Sequence, residues 1–95
     1  MATVYILYSK LAKRFYTGSC LDLEVRLGQH RSGEFNSSYT SNHSDWVLYY
    51  EMGGLGYSQS RKIENHIKQM RSRRYIENLK LYPEIMAKLK LKYSG

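Results

Sequence analysis

Along the chain, short runs rich in β-branched and aromatic residues give way to segments whose apolar positions recur at helical spacing, and the changes mark the elements. Thr3 to Ser9 is rich in β-branched and aromatic residues and predicts a strand. It is apolar nearly throughout instead of alternating, so cover is expected on both faces of its sheet. Lys10 to Lys13 is a short polar connection. Arg14 to Gly18 follows as a second strand, close enough to pair with the first as an antiparallel hairpin and ended by Gly18. A helix is predicted from Asp22 to Ser32, with Leu23, Leu27 and His30 as its stripe and Gly33 as its stop. Asp22, or nearby Ser19, is placed to cap its free N–H groups.

Gly33 to Asp45 has no period and predicts a loop. Trp46 to Met52 predicts a third strand, broken by Gly53-Gly54-Leu55-Gly56. A helix over Ser58 to Met70 carries Ile63, Ile67 and Met70 inward, with Glu64 on the flank of that stripe. After a kink at Ser72, Arg73 to Lys80 predicts a short helix. Pro83 suits the first turn of a last helix, to Tyr93, with Ile85, Met86 and Leu89 inward and Lys88, Lys90 and Lys92 outward. The expected fold class is α+β: a small three-stranded antiparallel sheet flanked by helices. Residues 1–80 form its main body and 81–95 a C-terminal helical extension of the same domain.

The chain has 95 residues, enough for one domain that buries roughly 60–65% of its unfolded surface. With 42% hydrophobic and 24% charged residues it is neither a disordered tail nor a membrane protein. No early Lys or Arg precedes an apolar run, so no secretion signal is expected. A lone cysteine, Cys20, excludes an internal disulfide and a Cys-based zinc cluster and fits a reducing cytoplasm. The net charge of +7 and pI near 9.6 point to an anionic partner, nucleic acid before a membrane surface. Residues 1–50 hold 5 basic and 4 acidic side chains, whereas residues 51–95 hold 10 and 4, so the charge concentrates in the second half. Ten tyrosines and one tryptophan add surface that stacks on bases or packs in a core.

No Gly-rich phosphate loop, HExxH, CxxC pair or carboxylate cluster is present, and His30, His43 and His66 lack metal-ligand spacing. The order of the remaining motifs is distinctive. Val4-Tyr5-Ile6, then Tyr16-Thr17-Gly18, Arg26-Leu-Gly-Gln-His30 and Glu64-Asn-His-Ile-Lys68 together resemble the GIY-YIG nuclease superfamily, over residues 3–80 and closest to its small stand-alone members. Each motif is weak alone; the signal is their order and spacing. Val4 stands where the first tripeptide has Gly, and Thr17 replaces Ile in the second, neither at a proposed reacting atom.

The resemblance implies a metal-dependent phosphodiesterase acting on DNA. One divalent ion, Mg²⁺ with Mn²⁺ as the alternative, would be held by Glu64 and would keep several waters. Arg26 would brace the scissile phosphate with its forked guanidinium. Tyr5 would be the general base, supported by Tyr16, and a nearby cation and Arg26 would lower its pKa. His30 would contact phosphate or handle a proton, and is the competing base. Asn78 is a weak candidate for a supporting role, and Asn36, Ser38, Tyr39 and Thr40 offer unranked contacts to nucleic acid.

Arg61, Lys62, Lys68, Arg71, Arg73 and Arg74 are expected to form a basic wall for backbone phosphates, which carry no sequence information. Without a separate recognition domain, branches, flaps or overhangs are favoured over a fixed sequence. A targeting protein suits a module this small, though no residue names one. Plainer explanations stand beside each residue: Glu64 and Lys68 as an i,i+4 ion pair, Arg26 and His30 as a helix-edge pair, Tyr5 and Tyr16 as strand packing. The rival functions are a non-catalytic nucleic-acid-binding module and an RNA-directed nuclease.

Overall fold

The structure is a computed structural model that describes residues 1–32 and 45–94, with side chains described for 1–29 and 45–94. The loop expected over Gly33 to Asp45, with Asn36, Ser38, Tyr39, Thr40 and His43, lies outside the described residues except for Asp45. The elements run β1 (Ala2–Ser9), β2 (Arg14–Cys20), α1 (Leu23–Ser32), β3 (Val47–Leu55), α2 (Tyr57–Met70), α3 (Arg73–Leu81) and α4 (Pro83–Lys92). The strands form one antiparallel sheet in the order β2-β1-β3. The α+β class and the three-stranded antiparallel sheet are those expected from the pattern.

The unbroken apolar run of β1 follows from its central position. Val4 and Ile6 face one side and join Leu55, Ile63, Ile67, Leu79, Met86 and Leu89 in the larger core beneath α2, α3 and α4. Tyr5 and Leu7 face the other side, where Cys20 and Trp46 complete a smaller cluster that Leu23 and Leu27 of α1 cover. All four of these β1 residues are at most 1% exposed. Helices thus lie on both faces of the sheet.

Two glycine-bearing segments run on as strand where a break was expected. Gly18 does not end β2, which continues to Cys20 in register with Thr3. Likewise Gly53 and Gly54 stay within β3, which pairs Leu55 with Ala2 across a register shift. Gly54 adopts φ +72, and its freedom from a Cβ serves this irregularity instead of a chain reversal. Met70, expected inside, is 45% exposed at the last turn of α2. The helix ends there because Arg71 turns left-handed at φ 47 and Ser72 caps the next helix by accepting from the Tyr75 N–H. On α1, Asp22 caps the N-terminus through the Val25 N–H at 3.2 Å.

A polar anchor fixes the β1–β2 turn against the start of β3. The buried Ser9 hydroxyl donates to Asp45 at 2.6 Å and accepts from the Ala12 N–H, while the other Asp45 oxygen accepts from the Leu11 N–H. Among the described residues no helix is long and apolar enough to cross a membrane.

Candidate active site

The free edge of β2 is where both layers of the molecule meet. Alternation along the strand turns Tyr16, Gly18 and Cys20 toward α1 and turns Ser19 toward α2. An open cleft of about 460 Å³ forms there, and its lining includes Tyr5, Tyr16, Arg26 and Glu64. Four of the five residues singled out for chemistry are therefore brought together from β1, β2, α1 and α2. The fifth, His30, lies on α1 one turn beyond Arg26, and its side chain lies outside the described residues.

Register explains the tyrosine pair. Tyr5 sits opposite Gly18, and Leu7 opposite Tyr16, so both phenols project to one face. Their ring centroids are 6.3 Å apart at 38°. Gly18 leaves the space that the Tyr5 ring occupies: a Cβ there would lie 2.6 Å from its hydroxyl oxygen and 2.7 Å from Cζ. Tyr16 makes a further edge contact with Trp46 at 6.5 Å.

The helix α1 brings cleft residues from one face, since its cap Asp22 and its residues Val25, Arg26 and Gln29 recur at helical spacing along the lining. Arg26 hydrogen-bonds the Tyr5 side chain, and Tyr16 and Tyr5 are themselves hydrogen-bonded. Arg26 does pull the Tyr5 pKa down, as expected, but the net direction in the protein alone is upward. Burial of the phenol raises it most, the neighbouring Tyr16 adds to the rise, and the opposing effect of Arg26 is smaller. Burial also raises Tyr16, against the Lys68 ammonium, and raises Cys20 despite Arg26.

From the opposite wall, α2 contributes Glu64. Its side chain is 14% exposed, and both carboxylate oxygens are engaged. The Ser19 hydroxyl donates to Oε1 at 2.5 Å, and the Lys68 ammonium donates to Oε2 at 2.6 Å. The i,i+4 ion pair is thus formed, and it lies at the cleft. Lys68 also stands 5.9 Å from the centre of the Tyr16 ring. Ser19 escaped the sequence reading, which gave it to helix capping; the period of β2 alone would have put it on the α2 side. Gln29, one turn from Arg26, and Tyr57, one turn before Arg61, also line the cleft.

The donors here are hard oxygens, the Glu64 carboxylate and Ser19 hydroxyl, with Asp22 elsewhere in the lining. Among the described residues no three His, Cys, Asp or Glu side chains gather to hold a metal ion. One carboxylate beside a hydroxyl fits a hard divalent ion that keeps most of its water, and does not fit a closed zinc site.

The six basic residues of the expected wall do not share one face. Arg61 lines the cleft and reaches the Tyr57 hydroxyl at 3.4 Å, and Lys68, two turns on along the helix and paired with Glu64, is on the same flank. Lys62 lies about 100° round the helix from Arg61. Arg71 borders a shallow depression with Asn65, Lys68 and Gln69. Arg73 reaches back to Tyr8 and the Lys13 carbonyl, over the Phe15 ring, and Arg74 is exposed. Asn78 sits on α3, where its carbonyl accepts from the Tyr82 N–H, and it is not part of the cleft lining. His66, expected at the surface, is half-buried with Nδ1 3.1 Å from the Tyr93 hydroxyl; burial and Lys92 lower its pKa.

Comparison with curated proteins and with solved structures returned no match. Residues 1–78 match the model of the GIY-YIG catalytic domain, and every residue named as lining the cleft falls within them. The chain therefore belongs to the GIY-YIG family, a nuclease-type family whose substrate is nucleic acid and whose members are generally dependent on a divalent metal.

Proposed function

We propose that this protein is an endonuclease that hydrolyses phosphodiester bonds in DNA with one Mg²⁺ ion, selecting structure over sequence. The observation that carries the reading is the meeting of Tyr5, Tyr16, Arg26 and Glu64 on one cleft from four separate elements. Phosphodiester hydrolysis needs an oriented water, compensation of charge on the transition state and support for the leaving oxygen. A divalent ion bound at Glu64 would supply Lewis-acid compensation of that charge. Arg26 grips a non-bridging phosphate oxygen and keeps the Tyr5 hydroxyl in place. Tyr5, in its phenolate form, accepts the proton of the attacking water and becomes the neutral phenol, and Tyr16 holds Tyr5 and contacts phosphate. His30, one turn beyond Arg26, takes the second proton-handling role.

Arg61, Lys62, Lys68, Arg71, Arg73 and Arg74 are proposed to meet backbone phosphates, which is why shape and not base identity would guide the enzyme. Residues 81–95 are proposed to extend the catalytic domain, and the buried single cysteine suits a cytoplasmic setting. A separate targeting protein is the partner most useful to it.

Nicking of supercoiled plasmid in Mg²⁺ tests the reading. Wild type is expected to nick and Glu64→Ala to lose at least a hundredfold in rate. The Glu64–Lys68 pair favours one alternative, a non-catalytic binding module in which the carboxylate serves only structure. Retarded but intact plasmid with both proteins would establish that alternative. Branched DNA, linear duplex and single-stranded RNA assayed in parallel decide the substrate class, and dominant cleavage of RNA would replace DNA in the proposal.

A further inference from the structure

The carboxylate of Glu64 is held at both ends by side chains that take no step in the proposed hydrolysis. Ser19 reaches it from the edge strand at 2.5 Å, and Lys68 from the next turn of the same helix at 2.6 Å. These contacts differ in kind. Ser19 is part of β2, whose backbone is fixed by pairing with β1, so its hydroxyl is a rigid support. Lys68 is on a flexible four-carbon stem, with a side chain 48% exposed and an ammonium that lies between the carboxylate and the face of Tyr16. It places one positive charge directly against Oε2 of the carboxylate.

We propose that Ser19 is a positioning residue for Glu64 and that Lys68 is a built-in counter-charge competing with the divalent ion for Oε2. This rests on the reading of Glu64 as the metal ligand. In the metal-free protein the ammonium satisfies a carboxylate that is largely shielded from water, which spares the fold an uncompensated charge. Metal loading requires Lys68 to swing outward, and its stem and exposure allow that at little cost. Ser19 remains in place and keeps Oε1 oriented, so the released Oε2 presents a fixed lone pair to the ion. Once released, the ammonium stays one helical turn from Glu64 and is free to contact an anionic substrate there.

Mn²⁺ affinity, measured near neutral pH by the electron paramagnetic resonance signal of the free ion, tests this without reference to turnover. Lys68→Gln removes the competing charge and is expected to bind Mn²⁺ roughly three- to tenfold more tightly than wild type. Lys68→Arg keeps a cation there and is expected to return affinity to within about twofold of wild type. Ser19→Ala is expected to weaken Mn²⁺ binding roughly three- to tenfold, with Ser19→Thr restoring it. Unchanged or weaker binding by Lys68→Gln overturns the counter-charge, and unchanged binding by Ser19→Ala overturns the support. Glu64→Gln separates the two levels. If it binds Mn²⁺ as well as wild type does, the ion sits elsewhere, and the functional reading falls together with this inference. If Glu64→Gln abolishes binding while Lys68→Gln leaves it unchanged, only the counter-charge is lost. Circular dichroism of each variant verifies that the fold is retained, which the exposure of Lys68 favours.

Discussion

At the scale of single residues, the contact between Gly18 and Tyr5 sets the position of the proposed base. Tyr5 is fully buried, and its ring tip fills the place of a Cβ at Gly18. Gly18→Ala is expected to destabilise the protein by about 1–3 kcal/mol in urea unfolding, because a rigid aromatic in a packed cluster has little room to retreat. Adding Tyr5→Phe removes the nearest contact, so the double variant should fall short of the summed single effects. The raised pKa of Tyr5 has a kinetic consequence. Burial favours the neutral phenol, so near neutral pH the phenolate is a small fraction that grows about tenfold per pH unit. With Tyr5 as base, kcat/KM is expected to climb through pH 9 without a plateau, whereas levelling off near the ordinary imidazole pKa of ~6.5 would transfer the role to His30.

The elements show how far pattern alone determines structure. The β-branched and aromatic runs and the segments of helical period became strands and helices at nearly the expected bounds, because each apolar surface found a layer to cover it. Where the pattern misled, pairing or chain ends had overridden it. Gly53 and Gly54 looked like a break, yet hydrogen bonding to β1 carried the strand through them. Met70 kept the helical period but lies beyond the last turn that reaches the core, so it is exposed. The last helix, α4, is tied down by Met86 and Leu89, at 0% and 5% exposure in the same cluster as Val4 and Ile6. Met86→Ala is expected to cost about 2–5 kcal/mol by denaturant unfolding. Leu91→Ala, at 77% exposure on the same helix, should stay within about 0.5 kcal/mol.

For the whole molecule the dominant quantity is the net charge of +7 and its concentration in the second half of the chain. Composition suggested a continuous wall; the fold distributes those cations around α2 and α3, with Arg61 and Lys68 at the cleft. Affinity for DNA is expected to fall linearly on logarithmic axes with rising salt. Arg61→Ala should reduce that slope by about one and weaken branched and linear DNA alike, as measured by fluorescence anisotropy. A flat salt response, or an effect confined to one base sequence, would remove Arg61 from phosphate contact.

The amino-acid order by itself determined the antiparallel α+β class, because periodicity is a local property of a chain, and the order of its motifs, through the resemblance to the GIY-YIG family, singled out Tyr5, Tyr16, Arg26 and Glu64 as candidates. The tertiary structure decided what these side chains meet: Ser19 against Glu64, Gly18 beneath Tyr5, Arg26 at the phenol. It also decided the direction of the Tyr5 pKa. Such contacts arise from strand register and helix docking between residues as far apart as 19 and 64, and the balance between burial and a neighbouring charge exists only once both are in place.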